Sequence, residues 1–120
     1  FALANALFAR VVQMERDREI DNVEAIAYFG WTLALQARLE SADLTTDTRL
    51  DAAQIALQQA TVIDPDYADP RCFLAIIEFA FLDDADAALP YVVACESGNP
   101  PADIANLIAG FAADIRAAAS

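Results

Sequence analysis

The chain has 120 residues, is 58% hydrophobic, contains 3 Gly and 5 Pro, and carries a net charge of −12. One domain's length with that much apolar material, much of it Ala, can close a core of packed helices, and so few Gly and Pro argue against a loop-rich or all-β chain. All seven basic residues are Arg and the sequence pI is about 4.1. Phosphate backbones and anionic membrane surfaces need clustered positive charge, so binding to nucleic acid or to such membranes is disfavoured. The acidity serves solubility first and favours a basic or neutral partner second.

In chain order, the first predicted helix runs from about Ala2 to Arg16, with Leu7, Phe8, Val11, Val12 and Met14 at helical spacing. It begins without Met and already in helix-like sequence, so the chain reads as a piece cut from a longer parent. The start has no basic stretch of the kind that opens a secretory signal. The charged run Glu15 to Asp21 ends the helix, and Asp21-Asn22 reads as a turn. The second helix runs from about Val23 to Arg38. It is apolar nearly all round, with Ile26, Phe29 and Leu33 on one side and Ala27, Trp31 and Ala34 on another, so it needs cover on more than one face. Its apolar run, Ala25 to Leu35, is too short for a bilayer, which takes roughly 20 residues.

Glu40 to Arg49 is a polar loop holding several candidate N-caps, among them Ser41, Asp43 and Asp47. The third helix runs from about Leu50 to Val62, with Ala53, Leu57 and Ala60 inward. Asp64 to Pro70 is a turn in which Asp69 caps a fourth helix that starts at Pro70 and reaches about Leu82. Asp83 or Asp84 opens a fifth helix to about Cys95, kinked or disturbed in its first turns by Pro90. Gly98-Asn99-Pro100-Pro101 breaks the chain. The sixth helix spans about Ala102 to Ala118 with an apolar stripe of Ile104, Leu107, Ile108, Phe111 and Ile115.

Two stretches follow one plan. Each has an apolar helix, a break, a second helix carrying Ala, a large residue and Ala, and then a proline turn. The first reads Phe29-Gly30, Ala53, Leu57, Ala60 and Pro65; the second reads Leu74-Ala75, Ala87, Tyr91, Ala94 and Pro100. With the run Ala60-Thr61-Val62-Ile63-Asp64-Pro65-Asp66-Tyr67, this resembles the tetratricopeptide repeat (TPR). Ala-Tyr-Phe-Gly-Trp and Ile-Asp-Pro-Asp-Tyr resemble, within that family, bacterial proteins associated with cytochrome c-type biogenesis, which are often membrane-anchored with the repeats facing outward. The sequence departs from the pattern at the Glu40–Arg49 insertion, about eleven residues beyond the usual period. It departs again at Ile26 and Arg71, where an aromatic is expected, at Pro90, and at Pro100, one residue late.

The resemblance implies an all-α fold: antiparallel helical hairpins stacked as an α-solenoid in one domain, 1–120. Residues 1–22 then supply the second helix of a truncated repeat, 23–67 a repeat with inserted loop 40–49, 68–100 a further repeat, and 101–120 a capping helix. It implies that Gly30 faces Ala53 and Ala75 faces Ala87 where paired helices cross, and that Phe29, Leu57, Leu74 and Tyr91 fill the space between repeats. The concave face maps to Glu24, Ala27, Trp31, Leu35, Asp69, Cys72, Ile76 and Phe79, an apolar groove with acidic rims. That groove suits an amphipathic helix or an extended peptide with some positive charge. Trp31 and Phe79 are equally well read as core aromatics. Basic and Asn residues that clamp a C-terminal carboxylate in some TPR domains are absent.

The chemistry-bearing residues point away from catalysis. The sequence has no His and no Lys, so His-based triads, Schiff bases and P-loops are out of reach. Asp83 and Asp84 read as helix caps. Asp64, Asp66 and Asp69 lack the Gly and Glu of a calcium loop. Cys72 and Cys95 are either two small buried hydrophobes or a single bridge in an oxidising compartment. We therefore expect no cofactor, no metal and a non-catalytic scaffold whose partner is another protein or peptide. The alternative is a homodimer formed through the groove or an exposed apolar helix face.

Overall fold

The computed structural model describes residues 23–119. The expected helix Ala2–Arg16 lies outside the described residues. Among the described residues all regular structure is helical, in five α-helices. None of them is long and apolar enough to cross a membrane. The chain divides into two compact units at Asp64/Pro65, inside the expected proline turn.

In the first unit, α1 (Val23–Glu40) packs on α2 (Thr48–Ile63). No Pro interrupts either helix, and small residues recur on the facing sides. α1 buries Ile26, Gly30, Ala34 and Ala37, while α2 buries Leu50, Ala53, Ala56, Leu57 and Ala60. Gly30 is where the backbones come closest. A Cβ there would stand 3.0 Å from the Ala53 carbonyl oxygen, 3.0 Å from Leu57 Cγ and 3.3 Å from Ala56 Cβ. The expected facing of Gly30 and Ala53 is thus present. Glu40 pairs with Arg49 at the loop end and Gly30 meets Ala53 further along, so the two helices run antiparallel.

The connecting loop is more ordered than its polar composition implies. It contains a 3₁₀ turn, Leu44–Thr46, opened by Asp43, whose carboxylate accepts from the Thr45 N–H at 3.0 Å and the Thr45 hydroxyl at 2.6 Å. Asp47 then caps α2, accepting from the Arg49 N–H at 2.8 Å. The Arg49 guanidinium reaches Asp47 Oδ2 at 2.7 Å and Glu40 Oε2 at 2.6 Å, tying the end of α1 to the start of α2.

These bonds hold the Asp47 carboxyl well below the ordinary carboxylate range. The Arg49 guanidinium is the main cause, partly offset by desolvation and helped by the Arg49 N–H and the Ser41 hydroxyl. A carboxyl depressed in the folded state stabilises it fully above the unfolded pKa, about 3.9, and ceases to do so as pH falls through the folded value. Stability of the first unit, read from Trp31 fluorescence in denaturant, therefore falls on acidification below about pH 4. Asp47→Asn, which keeps a capping side chain, flattens that part of the profile. A profile identical in both proteins would show that the pair contributes nothing.

In the second unit, α3 (Asp69–Ile76) begins one residue earlier than expected. Asp69 is not its cap. Ala68 holds that position without a side-chain bond, Asp69 sits inside the first turn, and its buried carboxylate accepts from the Tyr67 hydroxyl at 3.2 Å. The expected single helix to Leu82 instead widens into a π-helical turn, Ile77–Phe81, closed by Leu82 N–H to Ile77 O at 3.0 Å. One extra residue per turn shifts every later side chain around the axis. Asp83 then adopts a left-handed φ of 54° and reverses the chain.

Asp84 caps α4 (Ala85–Ser97), its carboxylate accepting from the Ala87 N–H at 3.0 Å. Pro90 is exposed, and the helix continues through it to Ser97, two residues beyond the expected end. Gly98 closes α4 against Ala68, where an added Cβ would stand 2.8 Å from the alanine Cβ. Asn99, at φ 52°, stops the helix before Pro100.

Cys72 and Cys95 form a disulfide, with Cα atoms 4.9 Å apart and both residues fully buried. This resolves the two open readings of these cysteines in favour of the bridge. Ala68 beside Gly98 and Cys72 bonded to Cys95 set α3 and α4 antiparallel. Ala75 is fully buried, but in α4 the sealed small residue is Ala88, and Ala87 is half-buried.

α5 (Ala102–Ala118) has the expected bounds and buries Ile104, Ile108, Ala112 and Ile115; Leu107, expected inward, is 43% exposed. Arg116 in its last turn pairs with Glu96 in the last turn of α4 and holds the Glu96 carboxyl low. A helix simply retracing α4 would carry Arg116 about 20 Å along the axis from Glu96, beyond side-chain reach. α5 therefore crosses α4 instead of running back along it.

Candidate functional site

The eight residues mapped to a groove fall into two sets. Glu24, Ala27, Trp31 and Leu35 belong to α1 in the first unit; Asp69, Cys72, Ile76 and Phe79 belong to the second.

On α1, the line on the side away from α2 is Glu24, Tyr28, Trp31, Leu35 and Arg38. These are spaced by three or four residues and so share one face. Glu24 and Arg38 are exposed at the two ends, while Tyr28, Trp31 and Leu35 are half-buried between them. Ala27 lies off this line with no exposed surface. Thr32, beside the line, donates its hydroxyl to the Tyr28 carbonyl at 2.7 Å. The face joins two rings and an aliphatic side chain between one acidic and one basic end. Groups of this kind grip the apolar side of a short helix or strand, since aromatics contribute large contact area with few rotatable bonds. Tyr28 was missed by sequence reasoning, although its spacing of four from Glu24 and three from Trp31 carried the signal.

In the second unit, Asp69, Cys72 and Ile76 are buried and offer no surface to a partner. Cys72 is bound in the disulfide. Phe79 is half-buried, and its ring meets Phe111 edge-on, centroids 6.5 Å apart and planes at 78°. The π-helical turn separates it from the face of Cys72 and Ile76, which a regular helix would have let it share. A shallow open depression of about 340 Å³ lies where α4 gives way to α5, lined by Glu96, Asn99, Pro100, Ala105, Ile108 and Ala109. Its charged residue, Glu96, is already paired with Arg116.

The acidic residues weighed as sites serve the turns. Asp84 is a cap and Asp83 takes the left-handed turn position. Asp64 and Asp66 are exposed, while Asp69 is buried on Tyr67. The Asp64–Pro70 turn is closed by Arg71 donating to the Pro65 carbonyl at 2.6 Å. Among the described residues no group of three or more His, Cys, Asp or Glu is placed to hold a metal ion.

Comparison with protein-family models, with curated proteins and with solved structures gives no match.

Proposed function

We propose that this chain is a non-catalytic, TPR-like interaction module that binds a short amphipathic peptide or helix on the face of α1 opposite α2. The observation that carries this reading is the line Tyr28–Trp31–Leu35, apolar yet partly open, between Glu24 and Arg38. The close approach at Gly30 supports the helical-repeat part of it, because only a small residue lets α1 and α2 cross at that distance. Net charge −12 favours a partner with basic residues flanking its apolar stripe. The buried disulfide suits a domain that folds where thiols are oxidised, in keeping with repeats that face outward from a membrane-anchored parent.

The test uses the chain's single Trp, Trp31. Titrating a Lys/Leu amphipathic peptide shifts its emission to shorter wavelength. In calorimetry, Trp31→Ala or Tyr28→Ala weakens binding by about 2 kcal/mol, roughly thirtyfold, with helicity unchanged. Full-strength binding by both folded variants would remove α1 as the docking face.

A further inference from the structure

A helix at the surface of a folded domain ordinarily turns polar residues outward and keeps large apolar ones inside. The exposed side of α5 is built otherwise. Asp103, Leu107, Gly110 and Asp114 recur at steps of four, three and four, so they share one line along the helix. All four are exposed, Leu107 to 43%. Phe111 stands beside that line, half-buried, with the Phe79 ring edge-on against it. The apolar centre thus has a carboxylate towards either end. Among the described residues neither carboxylate belongs to an ion pair, and Arg116, on the same helix, is held by Glu96. Gly110 is an independent mark. Only proline forms helix less readily than glycine. At Gly30 the crossing with α2 requires the missing side chain, but at Gly110 an added Cβ would meet nothing within 4 Å. The gap serves no packing within the chain; it leaves bare backbone on an open face, where a second helix can approach closely.

We propose that this side of α5 docks an amphipathic helix of another protein, one that carries two basic residues about three turns apart with a large apolar residue between them. The occupant follows from charge. Two exposed carboxylates without a cation of their own select a basic partner and repel an acidic one, a second copy of this chain at net −12 included. The spacing follows from helix geometry. At 1.5 Å per residue, Asp103 and Asp114 stand about 16 Å apart along the axis, and a helix crossing α5 at about 20° stays within reach of both. Its apolar residue meets Leu107 and Phe111, and its backbone passes over Gly110. Asp114 lies one turn from the C-terminal end of α5, where the helix dipole disfavours a carboxylate, so a partner's cation relieves it as well. The surface belongs to the second unit and uses none of the α1 residues assigned to peptide docking.

The probe is a helical Ala-based peptide with one central Leu and two Lys about three turns apart, titrated into the isotopically labelled whole chain. Amide shifts gather at residues 107–114 and at Phe79, and a peptide with Glu in place of both Lys produces none. Leu107→Ala, at an exposed position, weakens binding roughly tenfold. Asp103→Asn with Asp114→Asn weakens it roughly fivefold and flattens its dependence on salt. Gly110→Leu weakens it by blocking the close approach, while the better helix former leaves the fold at least as stable. Equal binding of the Lys and Glu peptides overturns the proposal. So does full-strength binding by both Leu107→Ala and Gly110→Leu. Shifts confined to α1 overturn it too and leave the α1 docking face standing, whereas shifts on α5 without any on α1 support it and tell against that face.

Discussion

Removing the Cys72–Cys95 bond is expected to lower the stability of the second unit by about 3 kcal/mol, the loop-closure entropy for a ring of this size. The bond joins residues separated by 23 positions, and the ring takes in most of α3, the π-helical turn and α4 up to Cys95. Without it the unfolded chain recovers the freedom the ring denies it, while the folded hairpin keeps its remaining contacts. In the variant Cys72→Ala/Cys95→Ala the loss is somewhat larger, because two sulfur atoms leave fully buried sites. Hydrogen exchange resolves the effect: amides of α3 and α4 lose protection. The unfolding of the first unit, followed through Trp31, keeps its midpoint. Equal protection of α3 and α4 with and without the bond would show that packing alone holds the hairpin.

The second large effect is at Gly30. Gly30→Leu is expected to cost about 3 kcal/mol, at the upper end for an overpacked core. The nearest neighbour of the added Cβ is a backbone carbonyl, Ala53 O at 3.0 Å, which cannot rotate aside as a side chain could. Even Gly30→Ala sets a helix-propensity gain of about 1 kcal/mol against that contact, so it stabilises little or not at all. Gly110→Ala is the internal control. It lies inside α5 with nothing within 4 Å of an added Cβ, so there the propensity gain is realised in full. Denaturant midpoints of the three variants give the ranking Gly110→Ala, Gly30→Ala, Gly30→Leu from most to least stable. Gly30→Leu at wild-type stability would mean that α1 and α2 do not cross there.

Much of the helical layout was legible in the sequence because its signals are local. The bounds of α5 follow from a proline pair at one end and an unbroken apolar stripe along its length. Asp84 follows from cap chemistry, and Gly30 from the need for one missing side chain where helices touch. What could not be read depends on register between helices. Cys72 and Cys95 pair because α3 and α4 align so that their Cα atoms stand 4.9 Å apart, and no one-dimensional spacing contains that alignment. The π-helical turn inserts one residue into a hydrogen-bond ladder without a Pro or Gly to mark it. It moved Phe79 onto Phe111 and away from Cys72 and Ile76. Asp69 looked like a cap because it precedes a proline, but the Tyr67 hydroxyl, close in sequence yet chosen by the fold, is a partner of its carboxylate. On α1, spacing alone places Trp31 and Leu35 on one side of the helix. It could not foresee which of the other positions a neighbouring helix would cover.

The sulfur-closed ring also changes what a protease can accomplish. The reversal between α3 and α4 exposes Asp83 and Asp84 beyond the last π-helical residue, the kind of bend that proteases reach first. A cut there falls between the two bridged cysteines, so both fragments stay covalently tethered through the Cys72–Cys95 bond. The severed hairpin can re-form as an intramolecular event, and the fragments part only when a thiol reagent is added.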